Sequence, residues 1–171
     1  MRVRAFIARH RVLVICGTTL LAGLIAFVLV WFQPQKLFIE KTVNEEVPMA
    51  TVQPSASTAA MTEIASGVFR SLEHRTTGRA RLLRLADGSL ILRLESLDTS
   101  NGPDLRVYLS ELSSDQGWHA YGSRYLDLGG LKGNRGSQNY RIPAGTDLSR
   151  FRSAVIWCRR FKVGFGVAPL G

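Results

Sequence analysis

Among the residues that could do chemistry, the sequence contains two cysteines, Cys16 and Cys158. Cys16 lies within a long apolar run near the N-terminus, so Cys158 is the thiol that the rest of the chain carries. It therefore has no partner for an intramolecular disulfide. A thiol exported without a partner is buried in a core, paired with another chain, or used in chemistry.

The residues around Cys158 predict a strand. With a side-chain period of two, Cys158 shares one face with Ala154 and Ile156, while Val155 and Trp157 point to the other face. An apolar face of this kind favours a buried core thiol. The sequence alone leaves the core and redox alternatives open.

Three basic residues follow the cysteine closely: Arg159, Arg160 and Lys162. Their charges would favour the thiolate if they approached the sulfur. Arg160, two positions on, would share the face of Cys158 if the strand continued without a bulge. This pattern keeps Cys158 as the candidate redox thiol or ligand.

The two histidines outside the N-terminal region, His74 and His119, lie in turn-like surroundings. Neither has a ligand-like spacing to the other or to Cys158, so we expect surface histidines and predict no metal site. The sequence has no zinc-type cysteine pair, HExxH, GxSxG or P-loop motif. No enzyme class can be assigned on these residues.

A run of uncharged residues near the N-terminus predicts how the chain is held in a membrane. Residues 12–32 lack any charged side chain and as a helix would extend about 31 Å, enough to cross a bilayer. The run is longer than the apolar part of a signal peptide, and no small-residue cleavage site follows it. Trp31 and Phe32 end it as an interfacial anchor would. We therefore predict a transmembrane helix over residues 12–32 that holds the chain in the lipid bilayer.

Charge on either side of this run predicts its direction. Residues 1–11 carry four arginines and no acid, whereas residues 33–60 carry two lysines and three glutamates. The positive-inside rule then makes residues 1–11 a cytoplasmic tail. We expect a single-pass protein of the cell membrane with its C-terminal domain outside.

The segment after the predicted span has the composition of a linker. It contains Pro34, Pro48 and Pro54 and a low-complexity run of small residues over 55–60. Such a stretch buries too little apolar surface to offset its ordering entropy. We predict a flexible linker over residues 33–65, with a short helix over 38–46 as an alternative for part of it.

Residues 66–171 show short alternating apolar and polar runs separated by turn residues, which predicts half-buried strands. The Asp87-Gly88 pair supplies the positive φ of a tight hairpin turn. Predicted strands cover 79–85, 90–97, 105–109, 124–128, 138–142, 154–158 and 161–167. Without crossover helices these strands favour an all-β fold, an antiparallel β-sandwich of about seven or more strands, with a closed barrel as the alternative.

The last predicted strand contains Gly164 and Gly166 on the face opposite its apolar side chains. Glycines in a strand mark a bulge or a close approach. The approaching group is either a neighbouring part of the fold or a ligand on an open surface.

The net charge of +9 is scattered rather than clustered. Residues 61–171 hold 16 basic and 10 acidic side chains, a balance of +6. Because the arginines are not interleaved with stacked aromatics, we predict no nucleic-acid binding. A solvated face, or a weak contact with anionic lipid or cell-surface polymer, fits this charge better.

A set of motifs in fixed order resembles a known family. They are Gly102-Pro103-Asp104 with the following LRVYLS, then Leu131-Lys132-Gly133, Gln138-Asn139-Tyr140, VIWC over 155–158, and FKVGFG over 161–166. The set resembles the DM-thirteen domain of Skeletor-type proteins over about residues 67–170. The resemblance implies a β-sandwich related to the DOMON domain. It also implies that Cys158, which matches the family's cysteine, serves electron transfer as a bare thiol or as a ligand to a group such as haem.

Two functions are therefore predicted. The first is a membrane-tethered redox module that exchanges electrons with a partner protein through Cys158. The second is a non-catalytic binding or adhesion module in which Cys158 is only core.

Overall fold

The computed structural model describes residues 10–31, 39–48 and 61–171. Helix α1 (Arg11–Trp31) has the length and composition of a membrane span, and none of its described residues is buried. A signal sequence near an N-terminus can also be long and apolar enough to meet this description. Residues 1–9 of the predicted tail, and Phe32, lie outside the described residues.

Ten strands follow the helix. They are β1 (Thr42–Asn44), β2 (Thr62–Val68), β3 (Arg70–Ser71), β4 (Thr76–Arg84), β5 (Leu90–Thr99), β6 (Leu105–Ser110), β7 (Tyr125–Gly130), β8 (Arg135–Ile142), β9 (Ser153–Cys158) and β10 (Val163–Pro169). Two 3₁₀ turns, Ala120–Gly122 and Leu148–Arg150, interrupt the connections.

The strands form two five-stranded sheets. The first sheet has the order β1-β8-β5-β4-β2, and the second has the order β3-β10-β9-β6-β7. All pairs are antiparallel except β1 with β8. The predicted all-β sandwich is confirmed, and all seven predicted strands are present with shifted ends.

The hairpin between β4 and β5 forms as its turn residues predict. Gly88 has a φ of +79°, which Cβ-bearing residues rarely adopt. The Asp87 carboxylate accepts hydrogen bonds from the backbone N–H and the hydroxyl of Ser89. The turn therefore fixes the register of the central strands of the first sheet.

The main core lies between the two sheets. Its buried members come from both inner faces, and burial of this apolar surface is the main stabilising contribution. They are Phe69, Ala80, Leu82, Leu92, Leu94, Leu97, Leu105, Val107, Leu109, Tyr140, Ile142, Ala154, Ile156, Cys158, Phe165, Ala168 and Leu170.

A smaller apolar cluster covers the outer face of the second sheet. It contains Tyr108, Tyr121, Val155, Trp157 and Val167. The connection between β6 and β7 folds over this face, and its Tyr121 is fully buried. The second sheet is therefore packed on both faces, which explains why every residue of β9 is buried.

The structure differs from the predicted linker over 33–65. Strand β1 pairs with Arg135–Ser137 of β8, and strand β2 begins at Thr62, within the predicted linker. The alternative of a helix over 38–46 is wrong for residues 39–46. The strand was missed because its pairing partner lies more than ninety residues away in the chain. Residues 33–38 and 49–60 lie outside the described part.

The last strand also differs from expectation. Strand β10 begins at Val163, and a β-bulge between Gly164 and Gly166 turns Val167 to the outer face, so the apolar residues do not share one face. A Cβ on Gly164 would lie 2.7 Å from Leu72, and one on Gly166 would lie 2.5 Å from Thr76. The close approach is packing within the fold, and neither glycine leaves an open surface.

Candidate functional site

Cys158 is the last residue of β9 and is fully buried. It lies opposite Leu105 of β6 and opposite Val163 of β10. Its side chain belongs to the inter-sheet core with Ala154 and Ile156, as the period-two pattern predicts. The thiol is therefore surrounded by apolar side chains at one end of the sandwich.

The basic residues that follow Cys158 are directed elsewhere. The strand ends at Cys158 and residues 159–162 form a turn, so Arg160 does not share the face of the thiol. The Arg159 guanidinium donates to the Asp104 carboxylate at 2.8 Å. Arg160 donates to the Trp31 carbonyl at the end of α1, and its guanidinium lies 5.1 Å from the Trp31 ring centroid.

A loop and a pocket lie beside the thiol. Gly102-Pro103-Asp104 leads into β6, as its proline predicts, and the Asp104 carbonyl accepts a hydrogen bond from the Arg159 N–H at 3.0 Å. Leu105, the register partner of Cys158, is 7% exposed and lines a pocket of about 380 Å³. Lys132 also lines this pocket. Leu105 therefore lies both beside the thiol in the strand register and on the wall of this pocket.

The histidines do not join the thiol as ligands. His119 is exposed beside Trp118, as expected for a surface histidine. His74 is half-buried, with its ring centroid 3.9 Å from that of Phe165, a member of the same core as Cys158. Within the described residues, no three side chains of His, Cys, Asp or Glu come together as a metal site.

Three aromatic side chains on the outer face of the second sheet form a row that ends at Trp157, the residue before Cys158. Tyr125 and Tyr108 stack with ring centroids 4.0 Å apart and an interplanar angle of 4°. The centroids of Tyr108 and Trp157 are 6.4 Å apart. Trp157 is covalently joined to Cys158, although the two side chains lie on opposite faces of β9.

The middle member of this row is unusual. The Tyr108 hydroxyl is buried and has no hydrogen-bond partner among the described residues. Burial raises the pKa of Tyr108 above its ordinary value, and the neighbouring Tyr125 hydroxyl and Asp127 carboxylate raise it further. Tyr108 therefore keeps its proton at neutral pH. The sequence placed Trp157 opposite Cys158, but the contact between strands could not be deduced from it.

The haem alternative can be tested against this environment. A cysteine that ligates haem needs a cleft beside its sulfur that admits a flat macrocycle. Cys158 instead has core side chains around it, and the adjacent pocket reaches Leu105 rather than the thiol. The arrangement of the described residues does not fit haem ligation by Cys158.

The fold and site define a class of protein: a small β-sandwich domain with one core thiol, preceded by an apolar helix. The family model for the electron transfer DM13 domain matches residues 68–170. The chain belongs to this family, which confirms the resemblance in the sequence. No curated protein and no solved structure matches the chain.

Proposed function

We propose that this protein is a membrane-anchored, extracytoplasmic electron-transfer domain that works through Cys158. The observation that carries the proposal is the match of residues 68–170 to the electron transfer DM13 family. Cys158 is the cysteine of this matched region. The family match supports an electron-transfer function, and Cys158 is the residue through which we propose that it operates.

Helix α1 is the proposed anchor, with residues 1–11 in the cytoplasm and the sandwich outside. The arginine excess before the helix supports this direction. Arg160 contacts Trp31, so the turn after Cys158 lies against the end of the helix. This arrangement would hold the thiol end of the sandwich close to the bilayer surface.

The proposed chemistry is a one-electron oxidation of the thiol. The Cys158 S–H bond breaks, one electron goes to a one-electron acceptor such as a metal-centred partner protein, and the proton goes to water. A one-electron donor and a proton from water then restore the thiol. The sulfur is shielded from bulky reagents by its burial, which suits a group that exchanges electrons rather than substrates.

Reduction of hexachloroiridate(IV), a soluble one-electron acceptor strong enough to oxidise a thiol, tests the proposal. The full-length chain is purified in detergent, reduced and freed of reductant, and the visible absorption of the iridium complex is followed without oxygen. The wild type should bleach this absorption. Cys158→Ala should lose this activity while keeping its fold, since alanine is a small apolar replacement. Cys16→Ala is the matched control and should behave as the wild type.

Equal rates for the wild type and Cys158→Ala would refute the proposed function. A visible scan of the isolated protein completes the experiment. Absorption above the protein band that persists through purification would overturn the bare-thiol mechanism in favour of a bound chromophore.

A second candidate function is a non-catalytic cell-surface binding module. The full burial of Cys158 favours it, since a core thiol needs no other purpose. Many of the arginines, however, are paired with carboxylates, as Arg81 is with Glu63 and Glu95. Such pairing lowers the free positive charge available to an anionic polymer.

A further inference from the structure

The aromatic row on the outer face of the second sheet suggests how electrons could reach a thiol that solvent does not. We propose that Tyr125, Tyr108 and Trp157 form a one-electron relay between an acceptor at the surface and Cys158. This inference rests on the proposed function and adds a route and a docking point to it.

The row has the geometry of a relay. Tyr125 is 41% exposed on the edge strand β7, so an acceptor can reach its ring. Tyr108 is fully buried and stacks on Tyr125 at 4.0 Å with nearly parallel planes, which gives extensive overlap of the two π systems. Trp157 is 3% exposed and continues the row at 6.4 Å.

The surroundings hold the row rigidly. The three residues come from adjacent strands, β7, β6 and β9, whose ladders fix the ring positions. The connection between β6 and β7 closes over them, and a Cβ on Gly122 would lie 3.0 Å from the Trp157 ring. Water is thereby excluded from the inner part of the row, while Tyr125 stays accessible.

The chemical nature of each ring decides its part in the transfer. An indole can lose an electron without losing a proton, so Trp157 is a stopping point. The phenol of Tyr125 can release its proton to solvent on oxidation, so it is a second stopping point. The Tyr108 hydroxyl is buried and cannot release its proton directly to solvent, so Tyr108 bridges the two without becoming a stable radical.

The complete transfer moves one electron from Cys158 to the acceptor. The acceptor takes one electron from Tyr125, whose phenol proton goes to water and leaves a tyrosyl radical. An electron passes from Trp157 across Tyr108 to that radical, which regains a proton from water. One electron from Cys158 then reduces the oxidised Trp157. The thiol proton goes to water, and the electron leaves through the outer face of the second sheet.

Flash oxidation tests the relay. A photogenerated ruthenium(III) polypyridyl complex oxidises the full-length chain in detergent without oxygen, and transient absorption follows the tyrosyl and tryptophanyl radicals. The radicals should decay several-fold faster in the wild type than in Cys158→Ala, because the thiol reduces them. Replacing Trp157 by Phe should abolish this difference.

Two further variants provide matched comparisons. Tyr125→Phe, at a half-exposed edge position that tolerates substitution, should remove the early tyrosyl signal and the effect of Cys158. Trp118→Phe removes an exposed ring outside the row and should leave the effect of Cys158 unchanged.

The outcomes separate the relay from the function beneath it. If Cys158 still accelerates the decay in Trp157→Phe and Tyr125→Phe, the thiol donates by another route; the relay is then refuted while the proposed function stands. If Cys158→Ala decays like the wild type in every background, and the wild type also reduces hexachloroiridate(IV) no faster than Cys158→Ala, the proposed function itself is refuted.

Discussion

Leu105 lies directly opposite Cys158 where β6 pairs with β9, and the same leucine lines the pocket at that end of the sandwich. Directly opposed side chains on one sheet face are about 5 Å apart. We therefore expect this leucine to limit access to the thiol from the pocket.

Shortening that side chain should expose the thiol. We expect Leu105→Ala to increase the rate at which Cys158 reacts with a small maleimide and to cost roughly 2–5 kcal/mol of stability. Leu83→Ala is the control, since Leu83 is equally well buried but belongs to a cluster on the outer face of the first sheet. If both variants label at the same rate, global opening rather than the leucine controls access.

Two substitutions at Cys158 should differ in stability. Cys158→Ser places a hydroxyl in an apolar site and should lower the free energy of unfolding by roughly 1–3 kcal/mol. Cys158→Ala should cost less, because it leaves only a small cavity. Denaturant titration of both variants checks the order. A serine variant as stable as alanine would mean that the site has an unseen polar partner.

Acid should weaken the packing of the segment that carries β1 against the sheet. Burial alone would raise the pKa of Glu45, but hydrogen bonds from Lys132 and from the backbone N–H of Asn139 outweigh it, so this pKa is lowered. A carboxyl group whose pKa is lowered in the folded state stabilises the fold at pH values above its ordinary pKa of 4.5. This contribution is lost as the pH falls through the pKa of the folded state.

Glu45→Gln isolates this contribution. At neutral pH the variant should be less stable than the wild type by up to about 1 kcal/mol, since the pair is partly solvated. The difference should shrink as the pH falls below 4.5. Denaturant midpoints measured from pH 7 downward test the sign, and a difference that grows in acid would contradict it.

The two faces of β6 should respond differently to substitution. Val107 is fully buried in the inter-sheet core, so Val107→Asp should unfold the domain by burying an unpaired charge. Arg106, on the other face, donates to both carboxylate oxygens of Asp127. Arg106→Gln should therefore cost only about 1 kcal/mol. Equal melting temperatures for the two variants would contradict the assignment of faces.

Labelling of intact cells tests the orientation of the helix. In a Cys158→Ala background, a membrane-impermeant maleimide should label a cysteine placed at Ser57 but not one placed at Val3. Permeabilised cells provide the control, in which both positions should react. Labelling at Val3 alone in intact cells would place the sandwich in the cytoplasm.

Local sequence signals predicted most of the fold. Alternation located the strands, Asp87-Gly88 located the hairpin, and the face of Cys158 followed from its neighbours. These features depend on residues adjacent in the chain, whose geometry the local pattern determines.

Features that depend on pairing between residues distant in the chain could not be predicted from the sequence. Val43 belongs to a strand of three residues, too short to show a period, and it is held by β8. The face of Val167 depends on a bulge that alternation cannot reveal. The stacking of Tyr108 on Tyr125 depends on the register of two strands, so the aromatic row became visible only in the fold.

The pairing of β1 with β8 also limits the length of the segment that connects the helix to the sandwich. Only residues 32–38 separate Trp31 from the segment docked on the sheet, and a chain of this length spans at most roughly 30 Å. A free linker over 33–65 would have allowed about 110 Å. With α1 in a bilayer, the domain would stay within a thin layer next to the lipid surface. An electron acceptor would have to enter that layer to contact the domain.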